Sequence, residues 1–580
     1  MIGHPEMVEN HQSARNRPPV QYAVRFTDRA THYLTVDARF PSDGEAEAEL
    51  FLPVWTPGSY LIREYARNIE PISPPGGFSK TSKNRWRVKA NDAGVVVFSY
   101  RVYCREMSVR TNWAEDSFAL INGAPTFITS ARWLDVPHDV QLELPPHWKT
   151  AVSGLTETGR HCFRAENYDA LVDSPILCGN PSLYEFRVDE IPHFLANEGD
   201  HGVWDGPRSA ADAEKIVRQY REMWGCLPYS KYLFLNLLTE ASGGLEHRNS
   251  TVLMTSRWAA RSRKSYLSWL NLVSHEFFHV WNVKRLRPAE LGPFNYEAEN
   301  YTRSLWIAEG LTAYYTPLTV RRAGLSTTEE FLADLSEDIN TLQSTPGRFA
   351  QSAEQASWDA WIKLYRPDEN SINSTISYYT KGAVVGWLLD AAIRHATGGE
   401  KSLDDVMQAA YSRYSGERGF ETGQFKALAS EIAGVSLDEF FRSAVESTEE
   451  LDYAAALEWF GLRFKDPEPD SKASIGCATR VDHGRLIVTK VPRDAPAAAA
   501  GINADDEILA IGDFRVRADQ LSKRLECYKP GERVSMLLAR RDVLMRVDLT
   551  LGEEPKRWAL EVRPDTTDSQ RHNLARWLGL

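Results

Sequence analysis

Apolar and polar positions alternate along much of the first third of the chain. Residues 33–40 (YLTVDARF), 85–90 (RWRVKA) and 95–103 (VVVFSYRVY) are alternating or β-branched runs separated by clusters of Pro, Gly, Asp and Asn. That pattern predicts short strands of a β-sandwich from about Val20 to Val188. The period then changes. Residues 231–240 (KYLFLNLLTE) form a continuous apolar run of strand length, whereas Tyr266, Trp269, Leu270, Leu272, Val273, Phe277 and Val280 recur at helical spacing and predict a helix buried over much of its circumference. Helical periodicity continues at 327–342, 383–396, 403–414 and 437–445, an α-helical lobe reaching to about Gly461. Residues 465–474 (KDPEPDSKAS) read as a charged linker. Beyond it, 484–516 predicts a strand, a short Ala-rich helix from about Pro496, and a second strand ending in a Gly-Asp turn; 568–578 is a short amphipathic helix.

Inside the buried helix the apolar surface is interrupted by HEFFH, with His275, Glu276 and His279. Positions i and i+4 lie one above the other on a helix, so both imidazoles face one point with Glu276 beside them, the arrangement of a zinc site with a built-in base. Catalytic zinc takes three protein ligands and keeps a fourth position for water, so one more donor is needed. The metzincin pattern is absent, since Asn282 and Arg285 stand where Gly and His would follow. An acidic ligand further on is the other solution, with Glu290, Glu297, Glu299 and Glu309 as candidates. Glu309 is the best of them. It lies in SLWIAEGLTAYY, residues 304–315, where Leu305, Trp306, Ala308, Leu311, Thr312 and Tyr315 make a helical pattern with small neighbours that leave room for a metal. Glu290 sits between Pro288 and the Gly292-Pro293 pair, a turn rather than a rigid support.

HEFFHVWNVKRLRP (275–288) and WIAEGLTAYY (306–315) resemble the two metal-binding segments of the glycyl aminopeptidase family, thermolysin-like zinc peptidases of the gluzincin clan that carry a PDZ-like module. GGLEH (243–247) is similar to the segment whose acid captures a substrate's free amine, with Gly243, Gly244 and Glu246 as substrate-binding positions. YTKG (379–382) is similar to the segment whose phenol, here Tyr379, steadies the tetrahedral intermediate. The segment 54–69 also resembles part of that family and concentrates Trp55, Tyr60, Arg63 and Arg67 around a Pro-Gly turn; it reads equally as a domain-interface loop and as a substrate contact. The spacing departs from alanyl-type relatives, where the third ligand would fall on Ala298, so 282–302 is expected to loop out and return. The resemblance implies one Zn2+ per chain, held by His275, His279 and Glu309. It also implies Glu276 as general base then acid, peptide substrates with a free N-terminus, and preference for Gly or Ala there.

Composition is compatible with a large enzyme: 580 residues, 43% hydrophobic, 25% charged. A net charge of −12 argues against nucleic acid as a partner. No run of 18 or more apolar residues suggests a membrane span, and the start has no apolar signal core, so the expected location is cytoplasmic. Six scattered cysteines without CxxC spacing fit reduced, structural thiols. The expectation is therefore a multidomain α+β protein. It comprises an extended or disordered N-terminus (1–19), an N-terminal β domain (20–190) and a thermolysin-like catalytic domain (191–350) with a helical lobe (351–464). A linker (465–474), a C-terminal PDZ-like domain (475–555) and a helical tail (556–580) follow. A peptide-binding PDZ scaffold with a structural metal site, and a zinc endopeptidase, are the alternatives to an aminopeptidase. Oligomeric state is not legible.

Overall fold

A computed structural model describes residues 18–41, 43–72, 77–466, 472–517 and 520–580. Residues 1–17 of the expected N-terminal segment and 467–471 of the expected linker lie outside them. The fold is multidomain α+β, with N-terminal β sheets, a helical catalytic region and a C-terminal β domain. The chain divides into two compact units, Met1–Tyr301 with Tyr411–Phe420, and Thr302–Ala410 with Glu421–Leu580.

In the first unit, alternation becomes sheet as expected. Tyr33–Phe40 pairs with Val96–Tyr103 from Tyr33↔Tyr103 to Phe40↔Val96, and its alternate residues Leu34, Val36, Ala38 and Phe40 are buried. With period 2, one face of the strand covers a core and the other meets water. A second, five-stranded sheet follows. Ile191–Glu198, Tyr232–Leu238 and Ser250–Thr255 run parallel, and Gly243–Glu246 closes the edge antiparallel to Ser250–Thr255. Tyr232–Leu238 is buried at every position, which explains its unbroken apolar sequence.

The helix Arg263–Phe278 packs on this sheet. Ser262 caps it by accepting from the Ser265 amide at 3.3 Å. Buried polar bonds fix its rotation: Trp269 Nε1 donates to Asn236 Oδ1 at 3.1 Å, Asn236 donates to Asn197 at 2.8 Å, and the Tyr220 and Ser274 hydroxyls bond at 2.8 Å. The segment after the helix, read as an insertion that loops out and returns, is packed down: Tyr296 joins the N-terminal β core, its carbonyl accepts from the Val54 amide at 2.8 Å, and the Asn295 carbonyl accepts from Trp55 Nε1 at 2.8 Å. Aromatic residues within the insertion, invisible to a spacing argument, hold it in place.

In the second unit, Trp306–Gly310 is a π turn that runs into the helix Leu311–Arg322. It packs on the helix Tyr378–Ala396, which Ser377 caps through the Thr380 amide. Gly310 and Gly382 make this crossing close: a Cβ on Gly382 would lie 2.6 Å from the Gly310 Cα and 3.0 Å from the Trp306 carbonyl. Thr328–Gln343 begins with a capping box between Thr327 and Glu330. The tail helix Asp568–Leu578 covers this group, with Trp577 stacked on Phe460 at 4.1 Å and its Nε1 donating to Tyr314 at 2.8 Å. The C-terminal β domain has its own core, including Ile475, Val488, Ile511, Met536 and Leu549, with the strands Arg485–Lys490 and Glu507–Ile511 and the helix Pro496–Ala499 between them. None of the six cysteines is paired.

Because both atoms facing Gly382 are backbone, Gly382→Ala has no side chain to push aside. It should cost about 1–3 kcal/mol of stability, read as a lower urea or thermal midpoint; an unchanged midpoint contradicts the close crossing.

Candidate metal centre and active site

His275 lies in the last turn of the helix Arg263–Phe278, and His279 forms its C-cap with backbone still in the right-handed helical region (φ −61, ψ −15). The i, i+4 relation survives this early ending, and the two rings meet edge to face with centroids 4.9 Å apart. His279 is buried, and its Nδ1 lies 2.8 Å from the Asn282 carbonyl. A carbonyl only accepts, so Nδ1 carries the proton and Nε2 presents its lone pair. Glu309 occupies the π turn and is buried. A π turn inserts an extra residue into the helix and redirects the side chains around it, a device common at functional sites. One ligand atom from each of His275, His279 and Glu309 lies within 4.8 Å of the others.

Two imidazoles and a carboxylate are the donor set that zinc takes in catalytic sites, leaving a position for water, so the residues present fit that ion. A second group meets the same distance criterion, Glu246, Glu276 and His279. It depends on the same Nε2, since the other ring nitrogen is engaged by Asn282; the two groups compete for one lone pair. Of the other acids considered for the third ligand, Glu297 is taken up by Arg85, with Nε–Oε2 at 2.7 Å and Nη2–Oε1 at 2.5 Å, and by Asn84 at 3.0 Å.

Glu276 is buried beside Gly244, where a Cβ would overlap its carboxylate, so the edge strand approaches the helix this closely only with glycine there. Gly243 opens that strand at φ +130, opposite Met254. GGLEH reads locally as a Gly-Gly turn, but Gly243–Glu246 is a strand and Glu246 is 3% exposed, because Leu245 and Glu246 pair with Val252 and Thr251. The buried Glu246 Oε1 accepts no hydrogen bond from the described residues.

Two charged residues next to it had no signal in the sequence. Lys284 Nζ lies 4.0 Å from Glu246 Oε1 and donates to Asp173 Oδ1 at 2.8 Å; His247 Nδ1 is 3.1 Å from the same oxygen, and the Arg248 amide donates to Oδ2 at 2.9 Å. Burial would raise the Asp173 pKa, but Lys284 and His247 outweigh it and hold the carboxyl well below the usual range. Asp173 thus ties the two residues that follow Glu246 to Lys284.

Tyr379 stacks on Tyr378 at 4.7 Å, and its hydroxyl lies 3.0 Å from that of Tyr365. Burial, then the negative charge of Glu309 and the Tyr365 phenol, push its pKa well above the ordinary tyrosine value. Tyr379 therefore keeps its proton at neutral pH. Tyr378, beside it, is wholly buried.

Residues 268–385 match the family model described as M61 glycyl aminopeptidase, and residues 21–180 match that of the Peptidase M61 N-terminal domain. The chain is similar to the solved structure of an aminopeptidase N family protein from Idiomarina loihiensis, at 30% identity and a TM-score of 0.90, over 96% of this chain and all of that one. A solved M1 zinc metallopeptidase from Deinococcus radiodurans aligns at 12% identity and a TM-score of 0.49, over 75% of this chain and 94% of that one. Among curated proteins, a probable periplasmic serine endoprotease DegP-like of Brucella suis is 25% identical over 171 residues, 29% of this chain and 31% of that protein, so the chain spans under a third of that relative's length.

Asp173→Asn removes the negative charge that buried Lys284 faces and should cost about 3 kcal/mol at pH 7. A depressed folded pKa stabilises only above the unfolded value of about 3.9, and the benefit disappears as pH falls through the lower folded value. Urea unfolding of both proteins from pH 7 down to acid should show the difference shrinking below about pH 4; a difference constant across that range contradicts the pairing.

Proposed function

The chain belongs to the M61 glycyl aminopeptidase family of metallopeptidases, and from that premise we propose that it removes single N-terminal residues, glycine or alanine, from peptides at one zinc ion held by His275, His279 and Glu309. The observation that carries the reading is the buried pair Glu246 and Glu276 beside His279, one carboxylate for the substrate's amine and one for the reaction's proton.

Bound zinc supplies Lewis acidity, which polarises the scissile carbonyl and makes water more acidic near neutral pH. The remaining steps belong to the chain. Glu276 takes the proton from the attacking water and passes it to the departing amine, general base and then general acid on one carboxylate. Gly244 leaves room for that carboxylate. Tyr379, held protonated, donates a hydrogen bond to the carbonyl oxygen as negative charge grows on it. Glu246 pairs with the ammonium of an N-terminal residue. In a buried site, an internal peptide segment would leave that carboxylate facing no cation from the substrate, which disfavours cleavage in the middle of a chain. Gly243 and Gly244 line the approach as the edge strand. A purely structural metal site would need the ligands but not Glu276, which separates this reading from a peptide-binding scaffold.

The test is metal content and turnover of amino-acid arylamides, for the intact chain and two variants. Glu276→Gln should keep one zinc per chain and lose about 10²–10⁴ in kcat. Tyr379→Phe should lose about 10²–10³ in kcat with KM little changed. Unchanged turnover in Glu276→Gln, or loss of its zinc together with its activity, contradicts these roles.

A further inference from the structure

The segment around Trp55 is a sequence feature that the mechanism does not use, yet its Pro-Gly turn lies directly against the Glu246 carboxylate. Thr56, Pro57, Gly58 and Ser59 form a tight turn closed by the Ser59 amide donating to the Thr56 carbonyl at 3.1 Å, with Gly58 at φ +88. Proline second and a positive-φ glycine third are the requirements of a type II turn. A Cβ on Gly58 would meet more than a strained backbone: it would lie 2.7 Å from Glu246 Oε2 and overlap Oε1. Gly44 is the contrast within the same unit, since it has a similar φ of +84 and nothing within 4 Å of its Cβ position.

The turn is also held rigidly. Trp55 is fully buried and donates to the Asn295 carbonyl at 2.8 Å, the Arg63 amide donates to the Val54 carbonyl at 2.7 Å, and Arg63 Nη2 donates to Ser59 Oγ at 2.9 Å. Trp55, Gly58, Tyr60 and Phe294 line one small pocket, largely apolar apart from the charged residues Glu246, Lys284 and Arg287. The Glu246 carboxylate therefore has the turn against it, while its ligand atom reaches within 4.8 Å of those of Glu276 and His279.

We propose that the Thr56–Ser59 turn is the end wall of the substrate site, with Gly58 a specificity-determining residue that limits the substrate to an unsubstituted primary amine. The inference rests on Glu246 as amine anchor and adds a steric stop to its charge. Charge alone would accept any N-terminal ammonium, including a secondary one. A wall in contact with the carboxylate admits the N–H groups of a primary ammonium but neither an N-methyl group nor a preceding residue. One-residue cleavage then follows from shape as well as from charge.

Two measurements test this on the zinc-loaded full chain. With the wild type, glycine and N-methylglycine p-nitroanilides carry the same charge and differ by one methyl group. The wall predicts kcat/KM at least about tenfold lower for the N-methyl substrate, the scale of one misfitting methyl group in a closed site; values within twofold overturn it. In the variants, the ratio of kcat/KM for glycyl over N-acetylglycyl substrate is compared among Glu246→Gln, Gly58→Ala, the double variant and Gly44→Ala. Gly58→Ala should lower the ratio at least about tenfold, the double variant should be no worse than Glu246→Gln, and Gly44→Ala should match the wild type. A Gly58→Ala ratio equal to wild type, or effects of Gly58 and Glu246 that simply multiply, overturns the wall while leaving the anchor in place. A ratio unchanged in Glu246→Gln sinks the anchor itself, and the wall with it. Should Gly58→Ala fail to fold, the N-methyl comparison decides alone.

Discussion

A carboxylate taken out of water must meet positive charge, and three of them, Glu246, Glu276 and Glu309, are buried close to two imidazoles. Moving one such ion into a protein interior costs several kcal/mol even after relaxation, so a chain that keeps three in one place has organised them for cations. Glu309 joins the imidazoles as the donor set of a divalent metal. In the proposed function Glu246 takes the substrate ammonium, and Glu276, on the histidine helix beside the glycine edge strand, carries the proton. One electrostatic requirement would then give three roles to one residue type, according to what each carboxylate faces.

Within each unit, packing fixes the side chains concerned. The buried Trp269–Asn236–Asn197 series and the Tyr220–Ser274 bond fix the rotation of the histidine helix on its sheet. Glycine is used where backbone must approach: Gly244 against Glu276, Gly58 against Glu246, and Gly310 against Gly382, which brings together the helices carrying Glu309 and Tyr379. The Asp173–Lys284 pair braces the strand end that carries Glu246.

Much of this was legible in the sequence because it is written in local periods. HEFFH within a helical apolar pattern gave the two imidazoles and the carboxylate beside them, and the pattern around Glu309 selected it over Glu297, which Arg85 takes up instead. Strand and helix positions followed from periods of 2 and 3.6, as at Tyr33–Phe40 and Asp568–Leu578. What stayed hidden depends on contacts between distant residues. Gly243–Glu246 reads as a turn because two glycines dominate its composition, but pairing with Ser250–Thr255 makes it a strand. The π turn at Trp306–Gly310 has the same apolar spacing as an ordinary helix. Asp173 and Lys284 are 111 positions apart, and no spacing rule joins them. The signal that could have exposed the end wall was the Pro57-Gly58 pair itself, a type II turn signature in a segment rich in buried aromatics.

In the proposed function the cation sits on His275, His279 and Glu309 rather than on the overlapping trio of Glu246, Glu276 and His279. Anomalous diffraction at the zinc edge from crystals of the zinc-loaded protein separates the two directly. A single peak is expected at about 2.0–2.2 Å from the Nε2 atoms of both histidines and a Glu309 oxygen, with Glu276 outside the coordination sphere. A peak bound by Glu246 and Glu276, with Glu309 remote from it, would contradict that assignment.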